Sequence, residues 1–223
     1  MRSSPVLASL FLISSVVSCV ADDPSTDPQQ LALADELGVP VDVLGAVPEV
    51  PGGDLRGAAE VLAACATARD VVGDDLGAWA PALDCFDELQ LELAEVQHAH
   101  GGVVRAANEL AWDDDVSLAI PVKGGGDALT SCASGKFCFY ENRDFGGRRL
   151  TFGGLGFQYF DDYGFRDRAS SWKNRTTTTV RVYNERRIDH VLGTLWVEAG
   201  LTQSAYVGSS SNDKADQFYR SAR

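Results

Sequence analysis

The feature that most limits what this chain can fold into is a change of texture at Lys123-Gly124-Gly125-Gly126. From Ala21 to Thr130 there are 22 Asp and Glu against 4 Lys and Arg, a charge of −18. From Ser131 to Arg223 there are 10 against 14, a charge of +4. The acidic stretch is rich in Ala and Leu, whereas the later one is rich in aromatic and β-branched residues punctuated by glycine. A Gly-rich run between such halves reads as a linker over 121–131. The expected architecture is therefore a small α-helical hairpin or bundle followed by an all-β sandwich. Nucleic acid is a poor partner for so acidic a protein.

Within the acidic half, residues 22–53 hold short apolar clusters broken by Gly38, Pro40, Gly45 and Pro48, which predicts a leader with short helices. Asp54 can cap a helix running to Val72. Phe86, Leu89, Leu93, Val96, His100, Val103, Ala107 and Leu110 recur at spacings of three and four, one face of a helix interrupted at Gly101-Gly102. The helical domain is accordingly placed at 54–120, with Gly73 to Pro81 as the turn between its two long helices. In the second half, Thr176 to Tyr183 and Leu192 to Ala199 read as strands, and Gly153 to Gly156 as a hairpin turn.

The first residues explain the cysteines. Arg2, an apolar run from Val6 to Val17 and a small-residue exit make a signal peptide over 1–21. The run is too short to span a membrane. Two endings are open: cleavage after Ala21, or a lipobox at Val16-Val17-Ser18-Cys19 in which Cys19 is lipidated. Either predicts an exported protein, secreted or lipid-anchored at a bacterial envelope, touching a membrane only through that lipid. The remaining Cys65, Cys85, Cys132 and Cys138 suggest one disulfide per half by their spacing. In the loop-entropy picture the first contributes roughly 3 kcal/mol.

The run from Cys132 to Arg148, with Gly135, Cys138, Tyr140, Phe145 and Gly147, resembles secreted bacterial peptidase inhibitors of the Streptomyces metalloproteinase inhibitor type. Tyr140, Phe145 and Gly147 match the aromatic-and-glycine corner of βγ-crystallin Greek keys. The resemblance implies a βγ-crystallin-type sandwich over 132–223 and a secreted protease as partner, a metalloprotease among the candidates. It also implies paired calcium loops. Arg166-Asp167-Arg168-Ala169-Ser170-Ser171 and Asn212-Asp213-Lys214-Ala215-Asp216-Gln217 occupy the two motif positions, which makes Asp167, Ser170, Asn212 and Asp213 the calcium candidates. Arg166 stands where the family has an acid or amide, and the second motif has Asp216 and Gln217 in place of hydroxyls. No other cofactor is implied, and the inhibitory loop cannot be located.

Other constellations read as scaffold. His98 and His100 lie about 200° apart on a helix and cannot share one metal. Neither H-E-x-x-H nor G-x-S-x-G occurs, so nothing in the chain supports an enzyme. Asp113-Asp114-Asp115 reads as a solvated acidic run, and Asn174-Arg175-Thr176 has the form of a glycosylation sequon. The opposite charges of the halves would let the helical part dock on the β part as a pro-region does.

Overall fold

A computed structural model of the protein describes residues 27–47, 55–123, 129–185 and 192–222. The expected signal segment with Cys19, the expected cap at Asp54 and the Gly124–Gly126 run lie outside the described residues.

Four helices come first. Helix α1, Pro28–Leu37, starts where the Asp27 side chain accepts from Gln29 N at 2.8 Å and ends at Gly38, which takes φ +66°. Helix α2 is Val41–Ala46, α3 is Leu55–Ala68 and α4 is Leu76–His100. Asp75 caps α4 by accepting from Ala78 N at 2.8 Å, so the turn is shorter than expected and Pro81 sits inside the helix. Helices α3 and α4 pack together around Leu62, Phe86, Leu89 and Leu93, and Cys65–Cys85 ties them with Cα atoms 5.8 Å apart.

Helix α4 stops at Gly101, and here the structure corrects the sequence reading. Val103, Ala107 and Leu110 do not continue a helical face. They belong to a meander of β1 (Val103–Ala106), β2 (Glu109–Ala111) and β3 (Val116–Ala119). Asp113 turns the chain between β2 and β3, its Oδ1 accepting from Asp115 N and Val116 N, both at 2.7 Å. The acidic triplet is thus a turn with a structural member, and the helical region ends at His100 rather than near 120.

The remaining strands are β4 (Phe137–Tyr140), β5 (Arg149–Phe152), β6 (Gly156–Tyr159), β7 (Ser171–Asn174), β8 (Val180–Glu185), β9 (Leu192–Glu198), β10 (Gln203–Ser204) and β11 (Gln217–Arg220). They form two antiparallel sheets, β1-β2-β3-β5-β4-β7-β10 and β6-β11-β8-β9. Each Greek key lends one strand to the other's sheet, β6 one way and β10 the other. This exchange of strands makes a βγ-crystallin-type sandwich. Gly153 to Gly156 therefore links the two sheets and is no hairpin turn. Thr176 and Thr178 precede β8: Asn174 Oδ1 accepts from Thr176 N at 3.0 Å and Thr176 Oγ1 at 2.7 Å. Asn174 is fully buried, which closes the sequon to any glycan in the folded state.

The space between the sheets is filled by Phe137, Phe139, Phe152, Phe160 and Phe218, all buried. Phe152 and Phe218 meet edge-on at 4.6 Å between centroids, and Phe139 and Phe160 at 4.8 Å. Leu118 of β3 faces Leu150 of β5 across the ladder and is also fully buried. The meander thus completes the sandwich core. The two halves do meet, but by shared strands and core as well as by charge.

Candidate functional site

The site grows from the corner of the first Greek key. Between β4 and β5 the chain folds over, with Asp144 at φ +56° and Phe145 at φ +64°. The Tyr140 and Phe145 rings pack edge-on at 5.5 Å. Gly147 holds φ +73°, and a Cβ there would lie 2.8 Å from Asn142 Nδ2. Tyr140 is wholly buried, its hydroxyl donating to Thr130 O at 3.0 Å, and burial pushes that hydroxyl up to about 12 against the opposing charge of Arg149. Cys132–Cys138 packs against this corner. Lys173 Nζ stands 4.0 Å over the Phe145 ring, and burial lowers its pKa.

The corner is pinned from below. Ser171 Oγ donates to Asn142 O at 2.6 Å and accepts from Phe145 N at 3.1 Å, while Ser170 N donates to Tyr140 O at 2.9 Å. Beyond the corner lies a cleft of about 460 Å³ lined by Glu141, Asn142, Arg143 and Arg168 together with Asp167, Ser170, Asn212 and Asp213. All four calcium candidates therefore line one cleft. Ser170 Oγ donates to Asp213 Oδ1 at 3.3 Å, and Asn212 Nδ2 donates to Asp213 Oδ2. Asn212 Oδ1 is buried without a hydrogen-bond partner. Asp167 and Asp213 both adopt positive φ, 56° and 54°, as the equivalent residue of each motif.

The mate of this cleft is closed. By motif position Arg166 corresponds to Asn212, and Asp216 to Ser170. Arg166 Nε lies 2.6 Å from Asp216 Oδ1 and 3.9 Å from Asp167 Oδ2, an ion pair between half-buried and buried groups. A guanidinium thus neutralises the carboxylates of the second loop pair. Asp216 Oδ2 also accepts from Glu185 N at 2.6 Å, and Asp216 N donates to Tyr183 O at 3.0 Å as Ser170 N does to Tyr140 O.

Glu141 and Arg168 were absent from the sequence reading of the site. Arg168 Nη1 donates to Glu141 Oε1 at 2.6 Å, Arg148 Nη2 lies 2.6 Å from Glu92 of α4, and Arg148 N donates to Glu141 Oε2 at 3.3 Å. This chain of pairs joins the helical region to the cleft. The end of α4 also approaches closely: a Cβ on Gly164, at φ +63°, would lie 2.9 Å from the His100 ring. His100 is therefore a packing residue, and its carbonyl accepts from Trp112 Nε1 at 2.9 Å. Neither contact was visible in the sequence, because both join residues separated by more than ten positions through folds of the chain.

Two exchanged-strand Greek keys, an aromatic-and-glycine corner and a pair of facing loops define a βγ-crystallin-type domain. Residues 126–192 match peptidase inhibitor family I36, a segment that contains the whole first key and its corner. No curated protein matches the chain. Similar solved structures include a βγ-crystallin domain from Clostridium beijerinckii, 21% identical over 39% of this chain and 98% of that one, with a TM-score of 0.32. A βγ-crystallin from Ciona intestinalis is 18% identical over 39% and 100%, with a TM-score of 0.31. Among the described residues no helix is long and apolar enough to cross a membrane.

Proposed function

We propose that the protein is an exported peptidase inhibitor that acts by steric occlusion, presenting a rigid segment of its first Greek key to a secreted protease. The observation that carries this reading is the match of residues 126–192 to a peptidase-inhibitor family, falling on the segment that contains the Cys132–Cys138 disulfide and the buried Tyr140. Preorganisation of that kind lowers the ordering cost of binding. Export is supported by the leading sequence and by two disulfides, which persist in oxidising compartments. The test is residual activity of secreted metallo- and serine proteases titrated with the oxidised full chain.

A second reading is a calcium-stabilised structural module of the envelope. It is favoured by Asn212 Oδ1, a buried oxygen without a partner, beside Ser170 Oγ and the Asp213 carboxylate. Those residues fit a hard cation that takes six to eight oxygens only if backbone carbonyls complete the set. Among the described residues, no cluster of three or more His, Cys, Asp or Glu side chains is placed to hold a metal. Asn212, Asp213 and Ser170 would hold the ion, which would neutralise the carboxylate and brace the two loops. Arg166 already does this in the mate cleft, so one ion is the expected limit. Melting with calcium and with chelator separates the readings: strong calcium stabilisation without inhibition of any protease favours the second.

A further inference from the structure

The outer face of the β6-β11-β8-β9 sheet carries rings that the core does not use. Alternation along the strands turns Val180, Val182 and Phe218 inward, where all three are fully buried. Their neighbours lie on the opposite face, where Gln217 alone is only 4% exposed. The ladder places Tyr159, Gln217 and Tyr183 side by side in one transverse row, and Phe157, Tyr219 and Arg181 in the next. Phe157 is 49% exposed and Tyr159 50%, high values for large rings on strands. Phe157 stands 4.7 Å from Tyr219 at 43° and 6.3 Å from Tyr183 at 37°. Phe157, Tyr219 and Tyr183 thus form a connected strip across three strands, with the half-exposed Tyr159 and the Arg181 guanidinium on the same face.

Size decides what such a strip can hold. With strands about 4.8 Å apart and side chains on one face about 7 Å apart, the two rows cover roughly 10 by 7 Å between ring centres. Allowing for the rings themselves, the area is a few hundred Å², well below the about 800 Å² per partner of a stable protein interface. A second copy or a globular partner would gain too little here. A narrow chain of apolar-faced, hydroxyl-rimmed rings would fit. Aromatic faces are electron-rich and attract the polarised C–H groups of a pyranose ring, while Tyr hydroxyls and the exposed Arg181 can bond its rim. The rings are tilted 37–43° to one another, following the sheet twist, so they suit a single twisted chain better than a flat crystalline surface.

We propose that this face binds a β-linked polysaccharide strand with equatorial substituents, independently of the cleft at the first corner. The site is formed by Phe157, Tyr159, Tyr183 and Tyr219, with the exposed Arg181 as polar partner. It would hold the protein to a glycan matrix and leave the first Greek key free.

The experiment titrates the oxidised full chain by calorimetry with chitohexaose and with cellohexaose, the two arms separating N-acetylated from plain rings. Phe157→Ala and Tyr159→Ala are compared with Leu91→Ala, an exposed position on α4, each checked for folding by circular dichroism. The wild type is expected to bind at least one hexasaccharide, each ring deletion to weaken binding roughly tenfold, and Leu91→Ala to leave it unchanged. Amide shifts in the wild type on adding the same sugar should map to β6, β8 and β11, a readout that stands if a variant fails to fold. No binding of either sugar, unchanged affinity in both ring variants, or shifts confined to another surface would overturn the proposal. Loss of protease inhibition in the ring variants without any sugar binding would also overturn it and assign the face to a protein partner.

Discussion

Glu198 is the residue whose replacement should change stability most informatively. It sits on β9 opposite Val180, wholly buried. Its Oε1 accepts from Trp196 Nε1 at 3.0 Å, but its Oε2 is buried with no hydrogen-bond partner. Burial pushes the carboxyl from 4.5 up to about 8, only partly opposed by the Trp196 hydrogen bond. Between those two values the native protein holds a proton that the unfolded chain has released. Stability contributed by this group is therefore complete below about pH 4.5 and falls as pH rises toward 8. At about 1.4 kcal/mol per pH unit, the window sets a ceiling of about 5 kcal/mol, reduced by any relaxation that lets water reach Oε2. Glu198→Gln keeps the volume and an oxygen acceptor for Trp196 but cannot ionise. Urea unfolding of both proteins at pH 4.5, 6 and 8 should show similar stability at the lowest pH, and a Gln variant several kcal/mol more stable at the highest. Parallel pH profiles would refute the reasoning, since Glu198 would then titrate alike in both states.

Leu118→Ala should cost about 2–4 kcal/mol in chemical unfolding, despite lying outside the family match, because it empties a fully buried site beside Leu150. Gly147→Ala should lower the melting midpoint and cost about 1–3 kcal/mol, since the left-handed backbone and the contact with Asn142 both resist a methyl group. Tyr140→Phe removes one donor from Thr130 O and Ser131 O, which keep Lys173 Nζ and Arg149 Nη1, and should destabilise by about 0.5–1.5 kcal/mol, read from the same melts. If calcium occupies the cleft, a hundredfold excess over its Kd stabilises by about 2.7 kcal/mol, and Asp213→Ala should abolish that gain while Arg166→Ala does not.

What the sequence disclosed followed from local chemistry. The Cys132–Cys138 pair and the aromatic-and-glycine corner are each contained in a few consecutive residues and meet in the structure, and Cys65 meets Cys85 across a separation of 20. The four loop residues read from their motifs line one cleft because the strand exchange sets the two loops face to face. The error at 103–119 has a physical source. Val103, Ala107 and Leu110 fit a helical period by coincidence, and Gly101-Gly102 ends α4 with two positive-φ glycines where an interruption was expected. The strand character of β3 is fixed by its pairing with β5, thirty residues away, which no local pattern carries. Thr176 failed as a strand residue for a similar reason, its hydroxyl being committed to the buried Asn174 turn. Glu141 and Arg168 entered the cleft through a chain of ion pairs that only the folded chain brings together.

The central claim is inhibition, and one titration tests it most directly. Increasing amounts of the oxidised full chain are added to a fixed concentration of each of several secreted metallo- and serine proteases. The account predicts a linear loss of activity to an equivalence point for at least one protease, unchanged by chelator where that protease needs no calcium. Full activity across the panel at saturating amounts of a demonstrably folded chain would contradict it and leave the calcium-braced envelope module as the better description.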